Sequence, residues 1–280
     1  MKKIFYSILV FLLILLNFST VCADDVDNEV DFEDTIEVTA SNVSELPKTN
    51  SRRYIVYDRI SKSMIIGKNE DIKSAMASTT KIMTTIVILE KADLNETVTV
   101  SAKAGGTGGS RLGLKRGDKT SVRDLLYGLM LRSGNDAAVA LAEHVGGSVK
   151  EFAELMNEKA SELGLTNTHF VTPHGLDDAN HYTTALELAK LTDYAMNNET
   201  FSKIVGTKSI TIYINNQPRQ INNTNELLGV LNGVVGVKTG FTNNAGRCLV
   251  TETKRNNMDI ITIVLGADTK KDRTKDSVNL

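Results

Sequence analysis

The sequence predicts an α+β fold: an antiparallel five-stranded sheet packed with helices, together with a helical subdomain. Three observations carry this. Two short strand-like stretches come early, a block of helical periodicity fills the middle, and β-rich stretches return near the end.

Taken in order, Tyr54–Asp58 and Met64–Gly67 read as a hairpin, with Arg59–Ser63 as its connection. Thr79 to Lys91 carries Ile82, Met83, Ile86, Val87 and Leu89, a helix apolar on most sides and therefore expected in the middle of the domain. Val122–Leu131, Asp136–Val145, Val149–Leu163 and Ala185–Asn197 each place apolar residues at i, i+3, i+4. Gly146-Gly147 and Gly164 are natural helix stops. Lys208–Ile214, Val234–Thr239, Cys248–Thr253 and Ile260–Leu265 read as strands. The first two strands are expected to join the last three in one sheet. No internal repeat is visible.

At 280 residues the chain has room for one or two domains with a sizeable core. A formal net charge of −2 argues against nucleic acid as a partner. The charge is uneven. Nine acids and no base lie between Asp24 and Glu45, which leaves 30 bases and 25 acids over residues 46–280, a net of +5. The main body therefore suits an anionic matrix.

Lys2 and Lys3, the apolar run Ile4–Leu16, and Val21-Cys22-Ala23 form a secretion signal with cleavage after Ala23. The apolar run is shorter than the roughly 20 residues needed to cross a bilayer. An extracytoplasmic location follows, with no C-terminal anchor in view. Cleavage would remove Cys22 and leave Cys248, which is expected to be a small buried hydrophobe. Residues 24–50, acidic and poor in aromatics, read as a disordered spacer. Residues 51–280 are expected to form the functional domain.

Ser78-Thr79-Thr80-Lys81 places a hydroxyl and an amine three residues apart at the start of a helix, so that the two can meet on one face. Serine is a weak nucleophile until a base takes its proton, and a desolvated lysine can be that base. Ser133-Gly134-Asn135 holds a second hydroxyl and an amide on a turn between two helices. Lys238-Thr239-Gly240 closes a strand, where it can lie beside an extended peptide and offer a cation to a carboxylate. Each motif is weak alone. The order S-x-x-K, S-x-N, K-T-G is that of penicillin-binding proteins and class A β-lactamases.

From about Tyr54 onward the chain resembles the D-alanyl-D-alanine carboxypeptidases, the low-molecular-mass penicillin-binding proteins. The likeness also runs through Asn167-Thr168-His169-Phe170 and His174-Gly175-Leu176-Asp177. It implies a β-lactamase/transpeptidase-like fold and hydrolysis of the terminal D-alanine from peptidoglycan stem peptides ending in D-Ala-D-Ala, with β-lactams as covalent inhibitors. It implies Ser78 as acyl-ester nucleophile, Lys81 as general base with a lowered pKa, and Ser133 as proton relay. Asn135 would brace Lys81 and the substrate amide, and Lys238 and Thr239 would bind the substrate carboxylate and backbone. The N–H groups of Ser78 and Phe241 would form the oxyanion hole. Arg273, in Arg273-Thr274-Lys275-Asp276-Ser277, matches the family's arginine for the terminal carboxylate. A monomer is expected, with no cofactor and no metal.

Two other readings stand beside this one. A class A-like β-lactamase needs a deacylating glutamate, and the corresponding stretch here is Asn167-Thr168-His169-Phe170, which has none. A non-catalytic wall-binding module is the other. A zinc peptidase would need a ligand spacing that His144, His169, His174 and His181 do not show. Those histidines are expected to serve packing and local hydrogen bonds. Gly105–Gly109 lacks the Gly-Lys-Ser/Thr of a phosphate loop and reads as a mobile loop near the site. Ser277–Leu280 falls where the family starts a further helix, so the chain is expected to be truncated at that helix.

Overall fold

A computed structural model describes residues 46–280. The proposed signal and residues 24–45 of the proposed spacer lie outside the described residues; residues 46–50 carry no regular structure.

The strands β1 (Arg53–Asp58), β2 (Ser63–Lys68), β7 (Val234–Thr242), β8 (Gly246–Arg255) and β9 (Met258–Ala267) form one antiparallel sheet in the order β2-β1-β9-β8-β7. The five strands expected to join do so. The intervening chain supplies α1 (Lys81–Lys91), the single turn α2 (Ala102–Gly105), α3 (Val122–Leu131), α4 (Asn135–Gly146), α5 (Val149–Glu162), α6 (Ala185–Met196) and α7 (Glu199–Val205).

The remaining strand expectation, Lys208–Ile214, forms β5 (Ser209–Ile214), but in a second sheet with β3 (Thr97–Thr99), β4 (Lys119–Ser121) and β6 (Gln217–Asn222), in the order β3-β4-β5-β6. β3 and β4 are three residues each, too short to show a period. β6 is mostly exposed and polar, so it carries no apolar alternation. α7 was also not read in the sequence.

The helices begin where side chains can satisfy their free N–H groups. Ser121 accepts from Asp124 N, Ser148 from Glu151 N, and Thr184 from Glu187 N. α1 is buried from Lys81 through Ile88, as its apolar circumference predicts. Its Ile82, Met83 and Ile86 share one core with Ile55, Tyr57, Val250, Ile261 and Ile263 from one face of the large sheet. Cys248 lies fully buried in the same core, as expected of a small hydrophobe.

The other face of the sheet is covered by α8 (Lys270–Asn279). The sequence reading places the start of this helix at Ser277–Leu280; here it begins at Lys270, capped by Thr269, which accepts from Asp272 N, and runs to Asn279. Val278 packs beside Leu227, Val234 and Leu249, and Leu280 beside Tyr54 and Val264. Asp276 on α8 accepts hydrogen bonds from the backbone N–H groups of Asn50 (2.9 Å) and Ser51 (2.7 Å) and from the Ser51 hydroxyl. The segment leading into β1 is thereby fastened to the helix that follows β9.

Candidate active site

Ser78 does not lie on α1 itself. Ala77–Thr80 form a 3-10 turn that runs into α1 at Lys81. With three residues per turn, positions i and i+3 eclipse, which brings Ser78 and Lys81 together more directly than an α-helix would. Lys81 Nζ lies 2.8 Å from Ser78 Oγ, 2.8 Å from Asn135 Oδ1 and 2.9 Å from the carbonyl oxygen of His174. Lys81 is fully buried and Ser78 is 8% exposed.

Asn135 is the first residue of α4 rather than part of the preceding turn. Its Nδ2 donates to the Gly108 carbonyl (2.9 Å), and its backbone N–H donates to Ser110 (2.8 Å). The glycine-rich loop therefore sits at the site, as expected, but it is anchored rather than free. Asp136 adds to this by accepting from the N–H groups of Leu112, Gly113 and Leu114.

Ser133 is fully buried, and its hydroxyl has no hydrogen-bond partner among the described residues. It has φ +58°, and Ala77, next to the nucleophile, has φ +48°. The other described non-glycine residues at positive φ are Lys62 and asparagines. A left-handed backbone costs such residues on the order of 1–3 kcal/mol and tends to persist at functional sites.

The third motif lies on β7, an edge strand of the large sheet. A Cβ on Gly240 would lie 3.0 Å from Ser78 N and 3.2 Å from Ala77 Cβ, so glycine is what lets the strand lie against the nucleophile's turn. Lys238 is buried, and its Nζ donates to the Thr239 carbonyl (3.0 Å). The Thr239 hydroxyl is 2.8 Å from that of Thr224. Phe241 follows Gly240 on β7, with the Arg247 guanidinium stacked 3.9 Å from its ring centroid.

Arg273 stands on α8, buried at 3% exposure, with its guanidinium 3.4 Å from Glu226. Glu226 lies two residues beyond Thr224, so the loop that orients Thr239 also reaches Arg273.

The sequence reading gives the segment 172–183 no part in the site: it expects packing and local hydrogen bonds of His174 and His181 and quotes His174–Asp177 only as part of the likeness. This segment supplies a wall of the site. His174 gives its carbonyl to Lys81, and its Nδ1 accepts from Leu176 N (3.2 Å). Asp177 clasps the β7–β8 turn, accepting from Thr242 Oγ1 (2.6 Å) and Asn244 N (3.2 Å). Burial pushes the His174 imidazole down to about 3. His169 hydrogen-bonds the Asn180 carbonyl through Nδ1 (2.6 Å), and His144 meets Glu96 through Nε2 (2.7 Å). No group of three metal-ligating side chains converges among the described residues.

A lysine amine within hydrogen-bond reach of a serine hydroxyl, with a second buried lysine on an adjoining strand edge, is an arrangement for acyl transfer.

The family model described as D-alanyl-D-alanine carboxypeptidase matches residues 39–269. Over 225 residues the chain is 38% identical to D-alanyl-D-alanine carboxypeptidase DacF of Bacillus subtilis (strain 168), covering 78% of this chain and 58% of that protein. It is 38% identical over 265 residues to DacC of Escherichia coli (strain K12), covering 86% and 62%. The crystal structure of the Streptomyces K15 DD-transpeptidase superposes with a TM-score of 0.78 at 34% identity, covering 83% of this chain and 96% of that one. The chain thus spans about three fifths of the length of these two curated relatives.

Proposed function

Because the chain belongs to the D-alanyl-D-alanine carboxypeptidase family, we propose that it is a serine-type D-Ala-D-Ala carboxypeptidase acting on peptidoglycan stem peptides outside the cytoplasm. The observation that carries this reading is that Lys81 Nζ lies within hydrogen-bond reach of the Ser78 hydroxyl and of the Asn135 and His174 carbonyls. A neutral amine has two N–H groups and one lone pair. The two N–H groups suit the Asn135 and His174 carbonyls, which can only accept, and the lone pair suits the Ser78 hydroxyl, which can donate.

In this reading Ser78 Oγ attacks the carbonyl carbon of the D-Ala-D-Ala amide as its proton passes to Lys81 Nζ. The oxyanion is held by the N–H groups of Ser78 and Phe241. The C–N bond then breaks, the leaving D-alanine nitrogen takes a proton through Ser133, and an acyl ester remains on Ser78. Water attacks that ester with Lys81 again as base, restoring the serine. An extended substrate lies along the β7 edge, its terminal carboxylate held by Lys238, Thr239 and Arg273. A β-lactam follows the first step and remains as an ester.

The test is mass spectrometry of the purified chain incubated with benzylpenicillin. The expected result is a persistent adduct of one penicillin on the peptide containing Ser78, absent from Ser78→Ala. An unmodified wild-type protein would overturn the reading, and rapid turnover of the penicillin would replace it with a β-lactamase.

A further inference from the structure

We infer that His181 is a positioning residue for the oxyanion-binding peptide, acting through Thr80 and the Ala77 carbonyl; this rests on the carboxypeptidase reading above and deepens it. His181 lies 101 residues and 103 residues from the two groups that it serves, Thr80 and Ser78, and is 3% exposed.

The bonds run in one direction. The N–H of Val171 donates to His181 Nδ1 (3.0 Å), so the ring proton sits on Nε2. Nε2 lies 2.8 Å from Thr80 Oγ1 and donates to it. Thr80 Oγ1 spends its own proton on the Ala77 carbonyl oxygen at 2.8 Å. That carbonyl belongs to the same peptide group as the N–H of Ser78. A hydrogen bond at a carbonyl oxygen draws density through the conjugated amide, and its N–H becomes a stronger donor. The chain of bonds from His181 therefore ends on a donor of the oxyanion hole.

The packing holds this carbonyl in place. A Cβ on Gly175 (φ +86°) would lie 1.9 Å from the Ala77 oxygen and 2.5 Å from Thr80 Oγ1, so the 172–178 loop presses on both atoms. Ala77 itself holds the left-handed backbone that directs the carbonyl towards Thr80. The ring remains neutral, which the single-proton wiring requires: burial, the largest cause, lowers it to about 4. Phe170 meets the ring edge-on, with centroids 5.7 Å apart.

The test uses the full chain and stopped-flow acylation by a fluorescent penicillin, which separates the limiting acylation rate from the dissociation constant of the non-covalent complex. Thr80→Val keeps the shape and removes the relay. It is expected to slow the limiting rate by about three- to tenfold while the dissociation constant stays within a factor of two. Thr80→Ser is expected to restore the rate. His181→Phe should match Thr80→Val, and the two together should cost no more than either alone. Wild-type rates in Thr80→Val, or losses in both parameters that follow the thermal midpoint, would overturn the inference. A wild-type protein that never acylates on Ser78 would overturn the parent reading instead.

Discussion

Two buried basic side chains in this molecule have opposite kinds of partner. Lys81 Nζ meets the neutral oxygens of Ser78, Asn135 and His174. Arg59, at the far end of β1, is met by carboxylates: Asp193 (2.9 Å), Asp259 (2.9 Å) and Glu252, with Asn197 at 2.9 Å. Arg59 is 8% exposed and Lys81 is fully buried, so burial does not separate them. The partners do. Carboxylates fix a cation in place, whereas neutral oxygens hold the nitrogen without tying its charge, and they leave it able to trade a proton with a hydroxyl. A guanidinium that never deprotonates suits the first setting, and an amine suits the second.

The largest expected effect is at the site. Lys81→Arg puts a permanent cation in place and supplies no base, and it is expected to lower penicillin acylation by at least about 10³-fold. An acylation rate near that of the wild type would break the contrast between the two basic side chains. Next comes Arg59→Met, which strands buried carboxylates and is expected to cost about 3–5 kcal/mol in urea unfolding. The fraction that stays folded should acylate at the wild-type rate, because no bond of Arg59 reaches Ser78.

The two regions should also respond to pH in opposite directions. Burial, then the Asp259 hydrogen bond, raises Glu252 to about 7. Between about 4.5 and 7 the folded protein holds a proton that the unfolded chain has released, so stability from this group is lost as pH rises through 7. His181, lowered from 6.5 to about 4, contributes stability above 6.5 that is lost as pH falls through 4. Each shift is worth up to about 3 kcal/mol. Urea unfolding from pH 4 to 9 should show Glu252→Gln gaining on the wild type as pH climbs and His181→Gln gaining as it drops. Parallel slopes would refute the sign assigned to one of them. The smallest effect is expected from Thr224→Val, which frees the Thr239 hydroxyl at a cost of about 1 kcal/mol. It should raise KM for a D-Ala-D-Ala peptide several-fold with little change in kcat.

Much of the candidate site was legible because its chemistry sits in short contiguous motifs: Ser78 and Lys81 where a 3-10 turn runs into α1, Ser133 and Asn135 where a turn runs into α4, Lys238 and Thr239 on one strand. The large sheet was legible because its buried strands are long and apolar. The Arg59 cluster was not. Arg59 opens what reads as a solvated hairpin connection, and its acids lie 134 to 200 residues away. His181 was hidden for the same reason, since no spacing joins it to Thr80. The last helix was underread because Lys270–Asn279 is mostly polar, and its few apolar contacts cluster at its final turn and Leu280.

The fastening of Ser51 to Asp276 joins residues 225 apart, and beside it β1 pairs along its length with β9. A chain delivered from its N-terminus has β1 and β2 ready early, but β1 finds its second neighbour only when residues 258–267 have emerged. Loops of that length close slowly, and the strands waiting for them remain unpaired on one side. The sheet that carries Lys238 therefore cannot be completed until residues 258–267 have emerged, and Lys238 waits on them for its final setting.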